Sequence, residues 1–426
     1  MKIKTKKLDY DAVLALPRPV HKRPLKPSRL LSWVVKLASA GDLKDTEFTY
    51  ETEGLEKVGD APALILMNHS CFLDLMIANR IFYPKPYAIV CTGDGFVGKE
   101  WLMRRLGCVP TQKFVSDVTL IQDMSYLLHD KQVSVLMYPE ASYSFDGTPT
   151  ALPRKMGILL KRLKVPVIMV KTQGAFARDP LYNCLQKRKV RVHAQVTCLL
   201  TPEQIQAMPV AELDRTLDQA FDFDHFAWQK ENGISVSEPF RADGLHRILY
   251  RCPHCGAEGR TEGKGVTLTC HACGKVWKMD EFGQLSGENG QTEFAHIPHW
   301  YAWERQEVRR ELENGTYCLD TPVEIGMMVD YKAIYMVGTG HLRQDETGFH
   351  LTGCDGRLDY TQGPLASYSL YADYFWYELG DVICIGGGDT LYYCFPPAGV
   401  PVAKARLATE ELYKRKKRDR KAVSAL

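Results

Sequence analysis

An imidazole and a carboxylate, His69 and Asp74, stand five positions apart at the exit of a short apolar run, Ala63 to Met67 (ALILM). A carboxylate can hold one ring nitrogen of histidine and leave the other free to take a proton. The pair is therefore a candidate general base. Five positions along an α-helix is about 500° of rotation, so the two cannot share a helical face. They meet only if His69 lies in the loop and Asp74 about one turn into a helix, expected over Cys71 to Phe82. The same spacing recurs at His350 and Asp355 with no apolar strand before it, where it reads as a surface hairpin with a solvated carboxylate. Ser70 and Cys71 adjoin the histidine, but neighbours at a strand-to-helix turn usually point apart, which disfavours a covalent intermediate.

The elements that must position the pair follow from hydropathy. ALILM is the pattern of a core strand in an α/β sheet. Val133 to Tyr138 (VSVLMY) is a second core strand, running into Pro139-Glu140-Ala141-Ser142-Tyr143-Ser144. Loops at the carboxyl ends of such strands are where ligands usually bind. Between them lies Gly107-Cys108-Val109-Pro110-Thr111-Gln112-Lys113. Downstream, Arg154-Lys155-Met156-Gly157 opens a helix to Leu163, and Val165-Pro166-Val167-Ile168-Met169-Val170 is another core strand.

This ordered set, over roughly residues 45 to 205, resembles the glycerolipid acyltransferase superfamily. The family's histidine and aspartate are matched by His69 and Asp74. Its glycine followed by a basic residue is matched by Gly107 and Lys113. Its Pro-Glu-Gly-Thr-Arg-Ser block is matched in part by Pro139, Glu140, Ser142 and Ser144, and its Val-Pro strand by Val165-Pro166. Lys113 stands where the family has arginine, keeping the charge but losing the bidentate fork. Ala141 stands for glycine and Tyr143 for an arginine that the family is taken to use on the acceptor's phosphate. Arg154 or Lys155 is the candidate to compensate. The resemblance implies transfer of an acyl group from a thioester, acyl-CoA or acyl carrier protein, to the hydroxyl of a lysophosphatidate-like glycerolipid. His69 would be the base, Asp74 its orienting carboxylate, and Glu140 would bind acceptor hydroxyls or brace the loop. Thioester hydrolysis on the same site is the neighbouring reading.

The chain has 426 residues, 45% hydrophobic, with net charge +3, enough for two or three folded domains. Its first 36 residues hold ten Lys or Arg against two acids, and the tail holds a basic run from Lys414 to Lys421. Leu30, Leu31, Trp33, Val34, Val35 and Leu37, with Arg29 and Lys36 beside them, make a short amphipathic helix that lies in a lipid interface or packs on the catalytic domain. There is no run of 18 or more apolar residues and no signal-peptide core. A cytoplasmic enzyme held peripherally on the inner face of a membrane is the expectation.

Cys252-Pro253-His254-Cys255 and Cys270-His271-Ala272-Cys273 are two Cys-x2-Cys knuckles, each followed by glycine (Gly256, Gly274). The pattern signals a zinc ribbon. Four thiolates complete a tetrahedron and leave no open position, so the zinc would be structural, with rubredoxin-like iron the main rival. His254 and His271 lie inside the knuckles and are not counted as ligands. Zinc ribbons often bind nucleic acid, and the competing reading is a nucleic-acid-binding or interaction protein. Arg247, Arg251, Arg260, Lys264, Lys275 and Lys278, with Tyr250 and Trp277 as stacking surfaces, would serve it. Glu258, Glu262, Asp280 and Glu281 interrupt that patch. The remaining nine of thirteen cysteines, including Cys91, Cys108 and Cys318, read as reduced core or boundary residues.

The expected organisation is a basic N-terminal segment (1–44), an α/β acyltransferase domain with a mostly parallel sheet flanked by helices (45–240), a zinc ribbon (241–285) and a β-sandwich-like C-terminal domain with a terminal helix (286–426). Residues 206 to 232 read as helical, His225 as structural or exposed, Ser286 to Gln291 as a linker, and Gly386-Gly387-Gly388-Asp389 as a hairpin turn.

Overall fold

The computed structural model describes residues 2–424 apart from Ser116, Arg154 and Asp389, with side chains to residue 420. The chain divides into two compact units, residues 21–180 with 185–238, and residues 2–20, 181–184 and 239–424. The second unit begins with a short strand, β1 (Thr5–Lys7).

The first unit is built on a seven-stranded sheet of β2 (Thr49–Glu53), β3 (Leu64–Met67), β4 (Tyr87–Thr92), β5 (Cys108–Thr111), β6 (Ser134–Met137), β7 (Val167–Gln173) and β8 (His193–Leu200), in the order β2-β8-β7-β3-β6-β4-β5. All neighbours are parallel except β7 and β8. The mixed α/β expectation is met here. β3 is central and buried on both faces, and its period-two alternation feeds two cores. Leu64 and Leu66 join Met156, Leu160, Leu213 and Leu217 on one side. Ala63, Ile65 and Met67 join Leu73, Ile77 and Ala78 on the other. The carboxyl ends of β3, β6, β4 and β5 therefore lie along one edge.

The stretch read as helical over 206–232 is three helices, Pro202–Ala207, Val210–Ala220 and His225–Glu231. Pro209 lacks the amide to continue the first, and Asp224 caps the third by accepting from the Ala227 amide at 2.8 Å.

In the second unit the ribbon sheet contains β9 (Thr261–Lys264), β10 (Thr267–Cys270), β11 (Val276–Met279) and β12 (Leu285–Gly287) in the order β12-β11-β10-β9, all antiparallel. The predicted linker is thus partly a strand. Its Gly-Asn composition serves a turn, closed by Gly290 N–H donating to Gly287 O at 2.9 Å. Helix Ile297–Glu313 follows.

Two antiparallel meanders complete this unit, β13 (Leu319–Met328), β14 (Ile334–Asp345), β15 (Gly348–Gly353) and β16 (Leu358–Gln362), then β17 (Tyr371–Trp376), β18 (Gly380–Gly387) and β19 (Thr390–Phe395). The expected β-rich domain with a terminal helix is present, and hydrogen bonding runs unbroken from β16 to β17, with β1 alongside β14. The reason is β13. Its register shifts at Ile325/Gly326, so its second half pairs with β14 and β19 together. The triple-glycine turn joins β18 to β19 as a hairpin, Asp389 lying outside the described residues. Helix Val402–Ser424 buries Val402, Ala405, Leu407 and Leu412.

Candidate active site

The exit of β3 is fixed before the histidine is reached. Asn68 Oδ1 accepts from the Thr172 amide (2.7 Å) and hydroxyl (3.1 Å), and Asn68 Nδ2 donates to the Thr172 carbonyl at 3.1 Å. This buried clamp to β7 sets the direction in which His69 leaves the sheet.

The helix after it begins at Leu73, two residues later than predicted, so Asp74 sits in its first turn rather than one turn in. From there Asp74 Oδ2 reaches back over the loop. It accepts from His69 Nδ1 at 2.9 Å, the Ser70 amide at 2.8 Å and the Cys71 amide at 3.2 Å. An oxygen that takes two amide hydrogens has no proton to give, so Nδ1 of neutral His69 carries the hydrogen and Nε2 holds the lone pair. Asp74 is buried, while 21% of the His69 side chain meets solvent. The ring is packed against Tyr138 and Tyr143, both with centroids at 4.1 Å. Burial holds the imidazole pKa below its ordinary value, opposed by Asp74 and assisted by the charge of Lys113.

Glu140 is fully buried. Its Oε2 accepts from the His69 amide and its Oε1 from the Thr150 amide, each at 2.8 Å. The Ser144 amide donates to the His69 carbonyl at 3.1 Å. The residues after β6 thus brace both backbone polar groups of the histidine, and Glu140 serves the loop. Ala141 adopts φ +55°, a region that favours glycine. Ser142 is buried, its hydroxyl donating to the Tyr143 carbonyl at 3.2 Å.

Lys113 lies just past the carboxyl end of β5, and its charge is felt at His69. Gly107 is at the opposite, amino end of that strand. It closes helix Glu100–Arg105 at φ +85°, and a Cβ there would stand 2.5 Å from Pro27 Cγ. Its part is backbone geometry, and the strand separates it from His69. Arg154 lies outside the described residues.

The hydroxyl and thiol beside His69 are committed elsewhere. Ser70 Oγ meets His225 Nε2 at 3.3 Å. The Cys71 thiol is buried, and burial raises its pKa well above the usual range. His225 is buried against Phe176, and burial lowers its pKa to about 3. Asn68, Tyr138 and Thr150 escape sequence reasoning, because nothing local marks a residue as meeting a loop dozens of positions away, while His225 takes the structural one of its two expected places. The copy at His350 pairs with Asp359 at 2.7 Å, and Asp355 is 98% exposed.

In the ribbon, Cys252 and Cys273 sulfurs are 3.8 Å apart, as are those of Cys255 and Cys270, and all four lie within 4.8 Å of one another. Four thiolates at about 2.3 Å from a tetrahedral ion stand about 3.8 Å apart, so the donor set fits such a metal. The knuckles repeat one geometry, with Gly256 N–H donating to Cys252 O and Gly274 N–H to Cys270 O, both at 2.8 Å. His254 and His271 pair with Glu293 and Glu262. Trp277 and Tyr250 are buried, so the expected stacking surface does not form. Arg247, Arg251 and Lys275 are paired with Asp381, Glu311 and Glu293. Cys318, expected at a core or boundary, is exposed.

Residues 49–171 match the model of a family described as Acyltransferase. That stretch, less than half of the chain, holds His69, Asp74, Lys113 and Glu140, and the chain carries an acyltransferase domain there. Among solved structures, the 1-acyl-sn-glycerophosphate (LPA) acyltransferase PlsC from Thermotoga maritima is similar over 45% of this chain and 78% of its own, at 16% identity and a TM-score of 0.36. No curated protein matches the chain.

Proposed function

We propose that this protein is an O-acyltransferase that moves a fatty acyl group from acyl-CoA or acyl carrier protein to the hydroxyl of a lysophosphatidate-like glycerolipid. The observation that carries the reading is the 2.9 Å hydrogen bond between His69 Nδ1 and Asp74 Oδ2 within the matched domain. It leaves Nε2 as the acceptor for the incoming hydroxyl's proton. As the alcohol oxygen bonds to the thioester carbonyl carbon, that proton passes to Nε2. Collapse of the tetrahedral intermediate breaks the carbon–sulfur bond, and the imidazolium returns a proton to the leaving thiolate. A positioned base supplies a factor of about 10² to 10⁴. The acceptor is its own nucleophile, in keeping with the burial of Ser70 and Cys71.

A lipid acceptor fits the surface of the same unit. Helix Arg29–Asp45 turns Leu30, Trp33, Val34 and Leu37 outward, an i, i+3, i+4, i+7 stripe. Lys22, Arg23, Lys26, Arg29 and Lys36 accompany it. Among the described residues no helix is long and apolar enough to cross a membrane. The stripe and its cations suit peripheral attachment to an anionic bilayer, and we place the enzyme on the cytoplasmic face. In the ribbon, the four cysteines would hold a structural zinc ion.

The test is incubation of the purified protein with labelled acyl-CoA and a panel of lyso-lipids. Labelled diacyl lipid is expected, and His69→Ala should abolish it in a folded protein. Undiminished turnover in that variant removes the mechanism, and release of free fatty acid alone replaces transfer with hydrolysis.

A further inference from the structure

We propose that Tyr143 is a positioning residue, clamping His69 against Tyr138 so that the imidazole meets the incoming hydroxyl only along its Nε2 edge. The inference rests on the reading of His69 as general base.

The geometry is that of a slot. Tyr138 stacks on His69 at 4.1 Å with 23° between planes, and Tyr143 at 4.1 Å with 37°. Two rings cannot occupy the same side of a third at that distance, so they cover opposite faces. The χ2 torsion of histidine is soft, and a single bond from Nδ1 to Asp74 would let the ring tip about that bond. Carbon surfaces in contact stand about 3.5 to 4.0 Å apart, which leaves the imidazole no space to tip. With both faces covered and Nδ1 bonded, the Nε2 edge is what remains for a reactant.

The two walls differ in origin. Tyr138 follows the end of β6 directly, whereas Tyr143 arrives on the loop that Glu140 and Ser144 tie to the His69 backbone. Phe72 packs on Tyr143, ring centroids 5.7 Å apart with 60° between planes, and is itself 52% exposed. In the resemblance drawn from the sequence, position 143 is an arginine. An aromatic ring there cannot hold an anion by charge, but its flat face can hold the base. It also keeps water from that face, consistent with the lowered basicity of the ring.

The test reads the imidazole directly and then the reaction. In histidine-labelled protein, the His69 resonance, assigned by its loss in His69→Ala, is titrated by NMR without substrate. In Tyr143→Ala the His69 pKa should rise toward the ordinary value of about 6.5. With oleoyl-CoA and lysophosphatidate as the probe pair, kcat should fall on the order of tenfold, a fraction of what a positioned base supplies, while KM moves less. The acid limb of the kcat profile should shift to higher pH. Tyr143→Phe should restore all three, because the face and not the hydroxyl is at work. Phe72→Ala, at an exposed site, should move the titration the same way by less. A His69 pKa unchanged in both Tyr143→Ala and Phe72→Ala overturns the clamp, as does a Tyr143→Phe protein that behaves like Tyr143→Ala. Absence of transfer in the unsubstituted protein would instead count against the proposed function, and the clamp would stand or fall on the titration.

Discussion

Replacing Asp74 by asparagine separates the charge of this residue from its shape. Asp74 Oδ2 receives three hydrogens, from His69 Nδ1 and from the Ser70 and Cys71 amides. A carboxamide oxygen can sit in the same place and accept all three, so the loop and the tautomer persist. In the proposed reaction, what is lost is the anion facing the imidazolium that would form as the hydroxyl gives up its proton. A hydrogen bond to a charged group contributes about 1.5 to 3 kcal/mol, against about 0.5 to 1.5 for a neutral one. The difference, about 1 to 2 kcal/mol, lowers kcat by a factor of ~5 to 30. Asp74→Ala is a different perturbation. It leaves three donors without an acceptor at a buried site, each costing about 1 to 3 kcal/mol, so its melting temperature should fall well below that of Asp74→Asn. The assay is kcat with labelled acyl-CoA alongside thermal unfolding of each variant, with His350→Ala as a control expected to match the unsubstituted protein. Asp74→Asn turning over at the unsubstituted rate would show that the carboxylate does not stabilise the transition state, and the argument from its position would fail.

Three other outcomes follow from the same structure. His225 is held neutral, its pKa about 3 when folded against about 6.5 when unfolded. Between those values the unfolded chain binds the extra proton, so stability present above pH 6.5 declines as pH falls, by about 1.4 kcal/mol per pH unit. Urea melts at pH 5 and 6.5 should differ by ~2 kcal/mol from this source, and His225→Gln should flatten that slope; an identical slope assigns the dependence elsewhere. Glu140→Gln keeps one accepting oxygen for two amides that now use both, so unfolding free energy should drop by about 1 to 3 kcal/mol and kcat with it, read by denaturant titration and turnover. Metal analysis should find one zinc per chain, and a strong chelator should lower the melting temperature of the second unit; visible absorption from a tetrathiolate iron centre would replace zinc.

The four clustered cysteines and the two catalytic candidates could be named from the chain because each announces itself locally. A Cys-x2-Cys knuckle is a single turn, and a histidine at the exit of an apolar strand needs only its neighbours to be recognised. Buried strands such as ALILM are legible for the same reason, since a run apolar on both faces has one place in an α/β sheet. The supports of the site were not legible. Glu140 meets the His69 amide because β6 lies beside β3 with Met137 opposite Leu66, a register no local pattern encodes. Asn68 meets Thr172 across β7 on the same terms. Composition also misled where it was silent about burial. Trp277 and Tyr250, aromatic among cations in the chain, are core residues, Trp277 packing on Trp300 at 4.9 Å, and Gly107 lies at the wrong end of its strand to share the site with Lys113. Residue type and spacing decide what chemistry is available; strand order and register decide which of those groups meet, because contacts between distant segments form only when the sheet closes.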